Sequence, residues 1–485
     1  MKLVRLIVPY SLVLLAGCSS LSSTYLRPEL PAGPRWSTAA AAGAVQASAD
    51  RWWLAFGDPN LDKLVGDVIG RNNDVLLAAA RAYRTRLKAD IAANALFPKL
   101  NGYLATGNNQ PLDGKAATSS SASIYVSYEI DLWGKLAAQR DRANFEAHAT
   151  AEDYEAARLT TIGRTIETYF RIAHANQSLA SAESSLADVK QIQALVRTQM
   201  AGGAVSDLEL REAEQKVETQ AAAVSALKQK RLELRNDLTV LLNGAPNPVP
   251  EPQRLPRKKL PSIQAGLPAD LLARRPDLRA AEARLRATLK TVDEKRASFY
   301  PPISLTGTLG TSSPQLLAFI SNPVATLTAD VALSFLKLKD MKLEVAVSRA
   351  EYEERVLEFR NALLTAFSDV AKALGARANY AEQVRRLRNA LAAAQEVEQL
   401  KEARYRAGAI SLREWLEAQE SRRSAEVELA NVRLDQLLNE SLLYRALGGS
   451  AATAGPDRKS TAMEQRSKAG QGVRPSLPIS THSRR

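Results

Sequence analysis

Apolar positions along this chain recur with two periods, and the two alternate in blocks. Ala122, Ile124, Val126, Tyr128, Ile130 and Leu132 alternate with Ser121, Ser123, Tyr125, Ser127, Glu129 and Asp131, the two-residue rhythm of a strand with one apolar face. Residues 99–107 alternate less cleanly, and a polar loop, 108–114, joins the two. A later block repeats the arrangement. Ile303, Leu305 and Leu309 alternate with Ser304, Thr306 and Thr308, and then Ala325, Leu327, Ala329, Val331, Leu333 and Phe335 alternate with polar partners. Four strands are predicted, each of about ten residues, the length that crosses a bilayer at a tilt.

Around the strand pairs the period lengthens. Helical runs over 59–70 and 73–97 end at Phe97-Pro98, and another ends at Tyr300-Pro301-Pro302, where proline stops the helix. Residues 136–199 contain no proline and would span about 100 Å as one helix at ~1.5 Å per residue. The chain returns over 206–243, where Val217, Val224, Leu227, Leu234, Leu238 and Leu241 keep a heptad-like spacing; Val427, Leu434, Leu437 and Tyr444 do so in the last helix. Such seams pack helix on helix as coiled coils.

The long helices turn at a repeated element. Gln199–Glu214 matches Arg404–Gln419 position by position, aligning Gly203 with Gly408, Ser206 with Ser411, Glu209 with Glu414 and Glu212 with Glu417. In both copies a helix closes at glycine and restarts through a Ser-x-x-Glu capping box. The chain is therefore a duplicated unit, divided as follows: a signal peptide (1–17), a leader (18–57), a first repeat (58–243), a Pro-rich linker (244–266), a second repeat (267–449) and a basic tail (450–485) whose composition predicts disorder.

Charge and cysteine usage narrow the function. The formal charge of +13 suggests nucleic acid, but +2 lies in the signal and +5 in the tail, and the rest alternates with Glu and Asp along helix faces. No nucleic-acid-binding signature accompanies it. Lys2, Arg5, the apolar run Leu6–Leu15 and Leu15-Ala-Gly-Cys18 form a lipoprotein signal, making Cys18 the lipid-attachment residue. It is the only cysteine, so no internal disulfide forms. His148, His174 and His482 are scattered, with no metal spacing and no nucleophile motif. No enzyme, metal or cofactor is expected.

Four strands cannot close a barrel, and an open edge in lipid leaves backbone groups unpaired. Membrane strands therefore demand oligomerisation, and three copies would supply twelve. Phe97, Trp133, Tyr300 and Phe335 all fall where a strand meets a helix, as an interfacial aromatic girdle would.

The segments Trp52-Trp-x-x-Phe56-x-Asp58-Pro59, Tyr128-Glu-Ile-Asp-Leu-Trp-Gly134, Leu272-Ala-Arg-Arg-Pro-Asp277, Tyr405-x-x-Gly408-x-x-Ser411 and Ala446-Leu-Gly-Gly449 together resemble the outer-membrane factors of tripartite efflux systems, the TolC-like family, in the lipoprotein branch serving resistance-nodulation-division pumps. The resemblance covers nearly all of residues 50–450. It implies a mostly α fold with a transmembrane β-barrel: a homotrimer with a twelve-stranded barrel in the outer membrane and long coiled-coil hairpins forming an α-barrel in the periplasm. A periplasmic adaptor and an inner-membrane pump would dock at the tips. The docking residues map to Gly202, Gly203, Ser206, Arg406, Gly408 and Ser411, and the gate carboxylates to Glu414 and Glu417. Glu414 also has a capping role, whereas Glu417 has no such partner. Where the family usually has Phe-Asp-Gly-Gly after the fourth strand, this chain has Leu336-Lys-Leu-Lys339.

Two other readings compete: a lipid-anchored periplasmic scaffold without a pore, and a conduit for type I protein secretion. Lipid-facing alternation disfavours the scaffold. If Cys18 is the acylated residue, Cys18→Ser abolishes incorporation of labelled palmitate in cells, and undiminished labelling of that variant refutes the assignment.

Overall fold

The computed structural model describes residues 22–28, 51–109, 114, 117–258, 260, 274–313, 323–331 and 338–449. Cys18, Phe335, the tail and residues 336–337 of the departing corner lie outside them. The helices are α1 (Pro59–Arg71), α2 (Asn73–Asn94), α3 (Lys135–Ala201), α4 (Asp207–Leu241), α5 (Pro276–Ser298), α6 (Leu338–Arg406) and α7 (Leu412–Ala446). The strands are β1 (Lys99–Asn109), β2 (Ala117–Ile130), β3 (Ile303–Ser313) and β4 (Pro323–Val331). They form one antiparallel sheet in chain order.

Register gives the sheet its character. Leu100 faces Val126 and Leu104 faces Ala122; Ile124 pairs with Leu309 and Tyr128 with Leu305; Leu305, Gly307 and Leu309 continue to Ala329, Leu327 and Ala325. Because pleating sends alternate side chains to opposite faces, one face is apolar across all four strands over this stretch; nearer the hairpin loop Thr106 and Ser120 share that face and hydrogen-bond at 3.2 Å. The other carries Asn101, Ser123, Ser127, Thr306, Thr308, Thr326 and Thr328, interrupted by Tyr103, Tyr125 and Val324. Within one chain the apolar face is bare, with Leu104 79% and Leu327 81% exposed. Apolar outside and polar inside is the pattern of a membrane barrel. Among the described residues no helix is long and apolar enough to cross a membrane.

β2 ends two residues before Leu132, earlier than its alternation predicts. Asp131 causes the turn: its carboxylate accepts from Leu136 N at 2.9 Å and Ala137 N at 2.7 Å, so it starts α3 rather than extending the strand. Gly134 supplies the left-handed backbone the turn needs, at φ 74°.

The core sits midway along the helices. Asp58 caps α1, its Oδ1 accepting from Asn60 N at 2.9 Å, while Oδ2 accepts the Tyr169 hydroxyl at 2.7 Å. Leu61, Leu64, Val65 and Val68 are fully buried on the one face that a 3.6-residue period aligns. Trp52 stacks on Tyr444 at 4.9 Å and Phe56 meets Phe170 edge-on at 5.1 Å. In the predicted seams Val217, Val224, Leu234, Leu238, Leu434, Leu437 and Tyr444 are buried, whereas Val427 is exposed.

Two motifs meet in this region. Arg275 reaches Asp277 at 2.7 Å, Asp369 at 3.5 Å and the Ala446 carbonyl at 3.4 Å, tying α5, α6 and the end of α7. Gly448, at φ 91°, lies so close that a Cβ would stand 2.6 Å from the Arg274 carbonyl oxygen. The Arg-Arg-Pro-Asp and Ala-Leu-Gly-Gly segments thus form one clasp.

The leader residues 22–28 run along α5. Ser23 N donates to both Asp293 oxygens at 3.0 and 3.1 Å, and Arg27 reaches both Glu282 oxygens at 2.9 Å. Arg286 donates to Glu282 as well and lies 4.5 Å over the Tyr25 ring. Burial alone would raise the Glu282 pKa, but Arg27 and Arg286 hold it below its ordinary value.

The clasp separates two glycines sharply. Gly448→Ala is expected to destabilise by about 1–3 kcal/mol, the cost of a strained backbone compounded by the clash, whereas Gly66→Ala in α1, with open space around it, should stabilise by ~0.5–1 kcal/mol. Thermal unfolding of both variants, followed by tryptophan fluorescence, checks the opposite signs.

Candidate functional site

The helical hairpins α3–α4 and α6–α7 turn through nearly identical geometry. At the first tip Gly203 (φ 72°) donates to the Met200 carbonyl and Ala204 to that of Gln199, both at 2.9 Å. At the second, Gly408 (φ 70°) donates to Tyr405 and Ala409 to Arg404, again at 2.9 Å. Both are Schellman closures, in which a left-handed glycine lets two amides recover the helix's last carbonyls. Gly202 differs from Gly203. Its φ is −83° and a Cβ would find its nearest atom at 3.6 Å, so the fold does not require glycine there.

The restarts are less alike than the repeated motif suggests. Glu209 returns to its cap, accepting from Ser206 N at 2.7 Å. At the second tip Ser411 Oγ accepts from Glu414 N at 3.4 Å, but the Glu414 carboxylate goes across the hairpin to Lys401 at 3.6 Å. The expected capping-box role of Glu414 is therefore only half present: its amide is capped, while its carboxylate serves an ion pair.

Glu417 also has a partner, contrary to expectation. Arg413, one turn earlier, holds it at 3.1 Å in a pair whose side chains are 73% and 62% exposed. Exposed pairs at this spacing contribute only about 0.3–0.5 kcal/mol, so Glu417 can exchange partners cheaply. The spacing Arg413-x-x-x-Glu417 was visible in the sequence and is the signal that identifies the pair.

Beneath the tip lies a small core that joins the two hairpins. Ile192, Val196 and Ala213 pack with Leu412 and Trp415. Tyr405 stacks on Trp415 at 5.1 Å, and its hydroxyl donates to Gln199 Oε1 at 3.1 Å, linking the second hairpin to the first. Lys216 and Glu420 pair across the same boundary, and Arg422 binds Glu398 at 2.5 Å. Tyr405 is visible in the sequence only as part of a motif, and the signal for Trp415 is an aromatic in the first turn of α7. Gly202, Gly203, Ser206, Arg406, Gly408 and Ser411 are all exposed around this core, and Arg406 pairs with Glu402, one turn back on its own helix.

At the sheet end, Trp133 and Tyr300 stack on each other at 4.8 Å, and the Trp133 indole donates to the Pro301 carbonyl at 2.8 Å. Phe97 is 65% exposed. Among the described residues no group of His, Cys, Asp or Glu is placed to hold a metal. His174 lies half-buried on α3, where burial lowers its pKa.

A transmembrane sheet at one end and paired helical tips at the other define the class: a subunit of an outer-membrane channel that extends into the periplasm. The chain belongs to the outer membrane efflux protein family, whose model matches residues 64–244 and 267–449. It is 31% identical over 471 residues to the pyoverdine export outer membrane protein OpmQ of Pseudomonas putida, covering 93% of this chain and 98% of that one. It is 30% identical over 456 residues to the probable efflux pump outer membrane protein TtgC of the same organism, covering 90% and 93%. The open-state structure of the Neisseria gonorrhoeae MtrE outer membrane channel superposes with a TM-score of 0.80 at 26% identity, over 88% of this chain and 98% of that one. The protein is thus the outer-membrane channel component of an efflux system. Its family is one of channels, not enzymes.

Trp415→Ala should open the tip core, because removing a buried aromatic costs about 3–5 kcal/mol locally. Trypsin cleavage after Arg406 or Arg413 should then accelerate at least tenfold, with Tyr405→Phe giving a smaller increase. Unchanged cleavage in Trp415→Ala would show that the core does not hold the tips.

Proposed function

We propose that three copies of this chain form a closed conduit that opens at the paired tips when a periplasmic adaptor and an inner-membrane pump of the resistance-nodulation-division class engage them. The observation that carries the reading is the Tyr405–Gln199 bond above the Trp415 core. Parting the tips requires the α6–α7 hairpin to slide against α3–α4, and that motion breaks this bond first. Glu414 and Glu417 are the gate carboxylates, lining the mouth as two rings. Because Lys401 and Arg413 stand beside them, the closed mouth is a lattice of alternating charges rather than a purely negative one.

Adaptor docking is assigned to the exposed Gly202, Gly203, Ser206, Arg406, Gly408 and Ser411. Cys18 carries the lipid anchor, and Phe97, Trp133, Tyr300 and Phe335 mark the periplasmic edge of the membrane. Of the last set, Trp133 and Tyr300 serve each other before they serve lipid. The relatives export pyoverdine or belong to a probable efflux pump by name, which supports a small-solute cargo over a secreted protein.

Single-channel recording in planar bilayers tests the gate. The extracted protein should insert with a small conductance; Tyr405→Phe and Glu417→Gln should each raise it, and their combination should raise it further. Conductance identical to the parent in both variants would remove these residues from the gate. Gly202→Asp, which leaves the turn unstrained, should abolish efflux while the oligomer still assembles, and undiminished efflux would move docking elsewhere.

A further inference from the structure

Where α7 ends between α3 and α6, the wall of helices holds a cavity of about 290 Å³. Small-molecule sites begin at about 300 Å³, so it is large enough for a compact solute. Gly163 and Glu167 of α3, Tyr380 of α6 and, on α7, Ser441 and Arg445 supply its distinctive groups.

Arg445 dominates the chemistry. Its side chain lies across Gly163: a Cβ there would collide with Arg445 Cδ and stand 2.7 Å from Nε and 3.0 Å from Nη1, so α3 is cut away to seat the guanidinium. Among the described residues that guanidinium has no hydrogen-bond or ion-pair partner. Glu167, on the same wall, is engaged by Arg171 at 2.7 Å. Burial, with Arg164 and Arg275 nearby, holds the Arg445 pKa below its ordinary value despite Glu167. Arg433, also lowered by burial on this helix, differs in being satisfied: it donates to the carbonyls of Pro256 at 2.9 Å and Lys258 at 2.7 Å. The last turn of a helix favours a cation, which explains a positive charge at residue 445 but not its seat over a glycine inside a cavity. Two neutral groups stand with it. Ser441 is only 4% exposed and Tyr380 is half-buried, and neither hydroxyl has a partner among the described residues.

We propose that this cavity binds a small organic monoanion, a solute carrying one carboxylate, which Arg445 grips while the Ser441 and Tyr380 hydroxyls donate to it. A carboxylate matches the guanidinium fork with two parallel hydrogen bonds. Leu438 and Leu442, which also line the cavity, give the organic part of the solute an apolar wall. Glu167 and Asp435 at its margin select against anions of higher charge, such as sulfate, by like-charge repulsion.

The cavity faces the conduit. On α7, Arg433 and Tyr444 point to the side covered by the linker and by Trp52. Asp435, Leu438, Leu442 and Arg445 recur at the three- and four-residue spacing of the opposite side. Tyr25 of the leader packs on the core that contains Trp52 and Tyr444, and a leader acylated at Cys18 must run outside the barrel, because the bilayer surrounds it. The covered side is therefore the outside of the wall and the cavity opens inward. This placement rests on the channel reading above and gives the conduit a station that holds one class of solute in passage.

Fluorobenzoate is the probe. Its fluorine NMR line should broaden saturably with the full-length, detergent-extracted protein, beyond the effect of empty micelles, and a tenfold excess of sulfate should not displace it. Arg445→Met should weaken binding at least tenfold, the loss of a hydrogen-bonded charge pair. Gly163→Ala, which keeps the charge but displaces the guanidinium, and Ser441→Ala should each weaken it at least threefold with oligomer mass and melting temperature unchanged. In planar bilayers the probe should interrupt the current of the parent and not that of Gly163→Ala. Absence of saturable broadening, or equal binding by the parent, Gly163→Ala and Ser441→Ala, overturns the site and leaves the channel. Binding without interruption of a measurable current overturns the inward placement. A protein that binds the probe but never conducts overturns the channel reading and leaves the site.

Discussion

Everything in this molecule follows from the backbone of its four strands. A sheet with one apolar face belongs in lipid, where a missing backbone hydrogen bond costs several kcal/mol because no water replaces it. β1 and β4 are edges within the chain, so the isolated subunit is incomplete in the membrane. The helices inherit the problem, since every strand continues into one, and their bare leucines are the same unmet requirement carried into the periplasm.

Duplication solves much of this economically. Two copies of a helix–hairpin–helix unit stand side by side in one chain, so one boundary of each unit is met within the chain. The repeats then diverged where they had to differ. The groove between α3 and α5 is lined by arginine–carboxylate pairs, whereas the equivalent positions of α2 and α6 hold Leu76, Ile91, Val347 and Leu357, and at the second tip the Glu414 carboxylate meets Lys401 instead of completing a capping box. Motifs that look functional in the linear chain are structural in space. Arg275 and Gly448 lock three helices together at mid-height, and they carry no information about what passes through the channel.

The tip is built to be held rather than welded. Its core is small, five buried residues around one stacked aromatic pair, compared with the broad core that surrounds α1. At its extremity Arg406–Glu402 and Arg413–Glu417 are exposed pairs of little individual worth. A weak end on a stiff body fits the proposed opening at the tips, where the hairpins would part without disturbing the clasp.

The strands, the long helices, their glycine turns and the duplication were legible in the sequence because each follows from a local period or a local cap. β2's alternation and the Ser-x-x-Glu restarts need no distant partner to be recognised. The sequence could not say where a carboxylate finds its counter-ion: Glu414 reaches Lys401 across a hairpin, and that pairing depends on how two helices are rotated about each other. Nor could it show that Tyr405 bridges to Gln199, more than two hundred residues away, or that Gly202 is optional while Gly203 is not, since φ is set by the closed turn. Local backbone preference decided the elements. Only the tertiary structure decided which faces meet, because packing depends on rotation and register that no single helix or strand determines for itself.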